Sequence, residues 1–355
     1  MVQERKCIMK RDAESKQHKK WIALAAAVVL AVTALPMGVF AAKKDSTEEK
    51  LTKVTLNEVA HSIFYAPQYV AIEEGYFAEK GLDLTLVTGF GADKTMTAVI
   101  SGEADIGFMG AEASVYAYQE GATDPVVNFA QLTQRAGNFL VAREEMPDFK
   151  WEDLKGEKVL GGRKGGMPEM VFEYILKKNG IDPQKDLTID QSVDFGSTAA
   201  AFTSDDSAAY TVEFEPSATI LEKEGAGYVV ASLGEASGYV PYTSYSAKAS
   251  YMKENPEIIQ KFTDALQKGM DYVQSHTPEE IAEVIAPQFK ETDLETITAI
   301  VKRYYDQDTW KENLIFEKDS FELLQDILED AGELTDRTAY ENLVQTEYAQ
   351  KACEN

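Results

Sequence analysis

Residues 61–84 read HSIFYAPQYVAIEEGYFAEKGLDL. The stretch opens like a loop, runs on like a helix and closes as though a strand were beginning. Pro67 suits the first turn of a helix, where its missing N–H costs nothing, and Gly81 is a natural stop. The spacing predicts a helix over 66–81, set between strands "KVTLNEVA" (53–60) and "LDLTLVTGF" (82–90). The residues ahead of that helix, His61 to Ala66, carry no acidic side chain, although acids suit a helix's positive N-terminal end. Such a mouth is expected to leave its free N–H groups to a ligand.

The same alternation continues outward. "GADKTMTAVISGEA" and "AEASVYAYQEGA" read as helices, and "DIGFMG", "VVNFAQLT" and "NFLVARE" as strands. A second unit begins near "WEDLKGEKVLGG", with helix "PEMVFEYILKKNG", strand "AAYTVEFE", helix "PSATILEKEG" and strand "GYVVASL". Beyond residue 250 the pattern is helical. This βαβα rhythm predicts an α/β fold with helices on both faces of each sheet. The expected division is a leader over 1–41, a linker over 42–52, lobe one over 53–140 plus 242–330, an inserted lobe two over 141–241, and a C-terminal tail over 331–355. Two such lobes face each other across a ligand cleft and close about a hinge.

At 355 residues and 44% hydrophobic the chain can fill two cores. Its net charge of −25 argues against nucleic acid as a partner and suits a self-repelling monomer. Residues 1–41 differ: seven basic side chains against three acidic ones give +4, leaving −29 for the rest. That basic start runs into "WIALAAAVVLAVTALPMGVFAA", which predicts an export signal cleaved after Ala41. The alternative is an uncleaved anchor, since about 20 apolar residues can span a bilayer. Either way the expected location is the outer face of the cytoplasmic membrane. Cys7 and Cys353 are too few for a disulfide-built fold.

In α/β sheets ligands gather beyond the carboxyl ends of the strands, so the candidate residues lie in the loops found there. Lobe one offers His61, Ser62, Phe64 and Tyr65, then Gly110 and Glu112, then Thr133 and Arg135. Lobe two offers Gly165, Gly166 and Met167 in "GGRKGGMPEM", Ser197, and the carboxylates Glu213 and Glu215 of "YTVEFEPSA". Arg135, Ser62, Ser197 and the amides of 165–167 are donors that would grip an anion. Phe64, Tyr65 and the three glutamates would suit a ring bearing N–H groups. No nucleophile or metal-ligand set accompanies the carboxylates, so no catalysis, metal or cofactor is expected.

The stretches "APQYVAIEEGYFAEKGLDLTLV" and "TAVISGEADIGFMGAEA", continued by "LKGEKVLGGRKGGMPEMVFEYILKKNGID" and "AAYTVEFEPSATILEKEG", resemble the substrate-binding components of ABC importers. The group concerned joins alkanesulfonate-binding proteins with thiamine-pyrimidine synthases, and the likeness covers roughly 53–330. It implies a type II periplasmic-binding-protein fold that delivers a small ligand to an ABC permease and its ATPase. The synthase branch carries a Lys and, four residues on, a reacting His where this chain has Met109 and Ala113, and its cysteine-rich motif is absent. The ligand stays open among alkanesulfonates, taurine, nitrate and a thiamine-pyrimidine precursor. Glu112, Glu213 and Glu215 tilt the expectation slightly toward an aminopyrimidine-like heterocycle, because buried carboxylates beside an anion repel it.

Overall fold

The computed structural model describes residues 50–193 and 196–354; the expected leader and nearly all of the linker lie outside them. Two five-stranded sheets form the frame. The first takes β1 (Thr52–Glu58), β2 (Leu82–Thr88), β3 (Ile106–Met109), β4 (Val126–Thr133) and β10 (Thr243–Lys248), in the order β2-β1-β3-β10-β4. The second takes β5 (Phe139–Ala142), β6 (Lys158–Leu160), β7 (Thr188–Asp190), β8 (Tyr210–Glu213) and β9 (Tyr228–Ser232), in the order β7-β6-β8-β5-β9.

Each sheet has one strand running against its neighbours. β10 is antiparallel to β3 and β4, and β5 is antiparallel to β8 and β9. These are the strands that the chain enters on leaving the other sheet, through residues 134–138 and 233–242. The crossing segments form the hinge, and the antiparallel strands brace it. The fold is that of type II periplasmic binding proteins.

Five elements differ from the sequence reading. The helix expected over 66–81 is two helices, Ala66–Glu73 and Tyr76–Glu79. Gly75 separates them with φ +72°, a left-handed turn that a glycine takes without strain. β10 was not expected as a strand, because "TSYSAK" is rich in hydroxyls; its Thr243, Ser244 and Ser246 are all buried. Helices Lys318–Asp330, Tyr340–Leu343 and Glu347–Glu354 also went unread. The last of these packs on helix Pro256–Ser275, and the Leu343 carbonyl accepts from Asn128 of β4.

The uncharged run His61–Ala66 has a packing explanation. Ile63, Phe64 and Ala66 have no exposed surface. Helix Ala66–Glu73 lies against helix Pro256–Ser275 so closely that a Cβ on Gly269 would come within 2.2 Å of the Pro67 carbonyl. Nor are the amides free, as the sequence reading expected. Phe64 N–H donates to Ser62 Oγ, Tyr65 N–H to the Ser62 carbonyl, and Ser62 N–H to the Tyr69 hydroxyl.

Candidate functional site

Between the sheets lies a cavity of about 560 Å³. Its walls come from the carboxyl ends of β1, β2, β3 and β6, from the loop after β8, and from the start of antiparallel β10. Lobe one contributes Val59, Tyr65, Phe90, Lys94, Gly110, Glu112, Tyr242 and Thr243. Lobe two contributes Gly162, Arg163, Gly166, Met167, Ser197 and Phe214. Four aromatic rings therefore surround the space. Behind them stands a second aromatic layer: the Phe64 ring lies 5.2 Å from Tyr65, 5.6 Å from Tyr242, 6.0 Å from Phe214 and 5.2 Å from Tyr304.

Glu112 is the polar centre of this wall. It opens helix Glu112–Gln119 and is only 4% exposed, and its Oε2 has no hydrogen-bond partner. Burial pushes its carboxyl up to about 7, against the opposing pull of backbone hydrogen bonds from Glu112 itself and from Met167 across the cleft. The carboxylate folds back over Gly110, where a Cβ would meet Oε2 at 2.0 Å. No larger residue fits at position 110 while Glu112 keeps this rotamer. A buried acceptor without a donor is costly to keep unless something else supplies one.

A smaller cavity of about 180 Å³ adjoins the first and shares Gly162, Pro168 and Phe214 with it. His61, Ser62, Glu213 and Glu215 lie on its wall. Its carboxylates are engaged within the protein. Glu213 accepts from Thr198 Oγ1 at 2.9 Å and Thr211 Oγ1 at 2.6 Å, and burial raises its carboxyl to about 7. Glu215 accepts from Arg303 Nη1 at 2.6 Å and from both the amide and the hydroxyl of Thr219 at 3.0 Å. Burial raises its carboxyl more than Arg303 lowers it. His61 donates from Nδ1 to Glu58 Oε1 at 2.8 Å and from Nε2 to the Gln288 carbonyl at 3.0 Å. Its pKa is raised chiefly by the Glu58 hydrogen bond, against the pull of burial.

The sequence-predicted residues thus divide. Tyr65, Gly110, Glu112, Gly166, Met167 and Ser197 line the larger cavity, and His61, Ser62, Glu213 and Glu215 the smaller. Phe64, Thr133, Arg135 and Gly165 border neither. Thr133 Oγ1 meets Thr243 Oγ1 at 2.5 Å, one step behind the wall. Arg135 ties the two hinge segments together, donating to the Gly234 carbonyl at 3.1 Å with its guanidinium 4.4 Å from the Tyr239 ring centre. Gly165 donates its N–H to Glu169 Oε2. Sequence reasoning missed Phe90, Lys94, Arg163, Phe214, Tyr242 and Thr243. The last two lie at or beside the strand that was not read, whereas Phe90, between two glycines in "TGFGA", was there to be noticed.

Fold and cleft are those of the substrate-binding-protein fold found in ABC import systems. The alkanesulfonate-binding protein SsuA from Xanthomonas axonopodis pv. citri, solved with MOPS bound, superposes with a TM-score of 0.67 at 15% identity, covering 84% of this chain and 99% of that one. The chain belongs to the NMT1/THI5-like family, whose model matches residues 63–281. It is 45% identical over 332 residues to the protein YtlA of Bacillus subtilis (strain 168), covering 94% of this chain and 98% of YtlA. It is also 25% identical over 236 residues to the riboflavin-binding protein RibY of Chloroflexus aurantiacus, covering 65% of each.

Proposed function

We propose that this protein is the exported, monomeric solute-binding component of an ABC importer, and that its ligand is a neutral or cationic nitrogen heterocycle of the aminopyrimidine kind. The ligand is held between the lobes and passed unchanged to a permease with its ATPase. The observation that carries the ligand class is the unpartnered Glu112 Oε2, buried in the wall of an aromatic cavity. A ring N–H or amino group would donate to that oxygen while one ring face packs on the side of Tyr65, Phe214 and Tyr242. A sulfonate or nitrate brought to the same oxygen would meet like charge, or at best a carboxyl forced to stay protonated. The name of the relative RibY supports the same direction, since a flavin is also a flat nitrogen heterocycle.

A second reading has its own observation. Lys94 and Arg163 are cationic and line the cavity, which suits an alkanesulfonate or nitrate. Arg163 is already engaged, however, with Asp93 Oδ1 at 3.3 Å. The absence of catalysis is supported by Met109 and Ala113, which pack with Val99 and Val126 in an apolar cluster.

Calorimetric titration of the purified protein with hydroxymethylpyrimidine, thiamine, riboflavin, methanesulfonate, taurine and nitrate tests the proposal. Binding of a heterocycle that weakens in Glu112→Gln is the expected outcome. Binding confined to the anions would sink the heterocycle reading and leave the importer reading standing.

A further inference from the structure

Among the described residues two non-glycines have positive φ: Asp308 at +57° and Phe90 at +56°. Aspartate tolerates the left-handed region through its short polar side chain, and phenylalanine does not. Phe90 is also 74% exposed, the most exposed large hydrophobic side chain described. Its strained backbone and its bare ring both run against stability and solubility, and yet it lines the larger cavity. Strain of this kind collects at ligand clamps.

The turn that carries Phe90 is fixed to its surroundings. Gly89 N–H donates to the Glu58 carbonyl at 2.8 Å, Gly91 N–H to the Val59 carbonyl at 3.1 Å, and Thr95 N–H to the Gly91 carbonyl at 3.0 Å. A Cβ on Gly89 would fall 2.4 Å from Thr95 Oγ1 and 2.5 Å from Asn57 Oδ1. The ring is therefore presented by a welded corner between β2 and helix Ala92–Ser101. Three residues beyond Phe90, Asp93 meets Arg163 of the opposite lobe. Phe90 stands at the mouth of the cleft, where the lobes touch.

We propose that Phe90 is an aromatic clamp that covers the exposed face of the bound ring and sets a preference for flat ligands over small anions. The proposal rests on the heterocycle reading of the cavity. An exposed ring gains its full value only when an apolar partner shields it from water, and a flat heterocycle lying on the Tyr65, Phe214 and Tyr242 side leaves one face for Phe90 to cover.

The test uses the full chain and three proteins: wild type, Phe90→Asn and Phe90→Trp. Each is titrated with riboflavin, hydroxymethylpyrimidine and methanesulfonate, and each apo form is melted. Asparagine accepts the left-handed conformation, so the apo Phe90→Asn protein should melt at or above the wild-type temperature. Its affinity for the ring ligand should fall about tenfold or more, with faster release, whereas Phe90→Trp should hold wild-type affinity. Equal ring affinity in Phe90→Asn and wild type overturns the clamp while leaving the heterocycle reading intact. A clearly lower apo melting temperature in Phe90→Asn also overturns it, because Phe90 would then be serving the fold. A wild type that binds only methanesulfonate overturns the clamp and the heterocycle reading together.

Discussion

Both cavities of the cleft are lined by buried glutamate, Glu112 in the larger and Glu213 and Glu215 in the smaller. They differ in what those glutamates touch. In the smaller cavity Glu213 has two threonine hydroxyls, and Glu215 has Arg303 and Thr219. In the larger cavity Glu112 Oε2 has nothing. Burial alone therefore does not tell these carboxylates apart; the acceptor atom that no protein group fills does. Glu215 ties the segment after β8 to Arg303 of helix Leu294–Asp306, Glu213 is held by threonines of its own lobe, and in the proposed function Glu112 is the acid that a ligand fills.

Breaking the frame side of this comparison should have the largest effect. Arg303→Ala leaves Glu215 buried with only Thr219 as donor, and denaturant unfolding should show a loss of about 3 kcal/mol, the scale for stranding a buried charge. Pairing it with Glu215→Gln should recover a good part of that loss. If Arg303→Ala unfolds like the wild type, the Glu215 pair is not structural.

Glu112→Gln comes next and should act on binding. Loss of a charge-assisted hydrogen bond is worth about 1.5–3 kcal/mol, so ring affinity should drop roughly 10- to 100-fold, with methanesulfonate binding no weaker than before. The apo form should not suffer at neutral pH, because no protein donor to Oε2 is lost. A Glu112→Gln protein that binds the ring at full strength would erase the distinction between the two cavities.

A smaller effect concerns pH. Burial lifts the Glu112 and Glu213 carboxyls to about 7 from an ordinary value of 4.5, and burial together with neighbouring Glu173 raises Glu169. Each binds a proton in the native state that the unfolded chain has already released. His61, raised above 6.5 chiefly by Glu58, likewise holds its proton longer when folded. All four groups act in one direction: stability falls as pH rises from about 5 to about 8. The apo melting temperature should decline across that range, and Glu112→Gln and Glu213→Gln should each flatten the decline. A melting temperature that rises from pH 5 to pH 8 would contradict these environments. The smallest effect belongs to Asp93→Asn. The exposed Asp93–Arg163 pair should contribute less than about 0.5 kcal/mol to apo stability, and a larger loss would mean that the lobes are latched there.

Much of the frame was legible in the sequence, because parallel βα units announce themselves through short apolar runs alternating with amphipathic ones. "VVNFAQLT" became β4 without adjustment. What was hidden depended on distant partners. β10 is central and buried, but its residues are Thr243, Ser244 and Ser246, which look like a turn until Asn128 and Thr133 arrive to pair Ser244 and Thr243. The same holds at the site. Glu112 and Glu215 are indistinguishable as letters, and the partners that separate them include Arg303, 88 residues beyond Glu215. The uncharged run from His61 to Ala66 suggested a ligand, yet most of its lack of charge serves burial against the hinge and helix Pro256–Ser275.

The most direct test of the account is the pH dependence of heterocycle affinity in the wild type and in Glu112→Gln. A ring N–H that donates to Glu112 selects the carboxylate, so affinity should rise as pH climbs from 6 to 8 through the carboxyl's value of about 7. In Glu112→Gln that rise should vanish. Affinity that falls with rising pH in the wild type, or that rises equally in Glu112→Gln, would contradict the assignment of Glu112 as the ligand's acceptor.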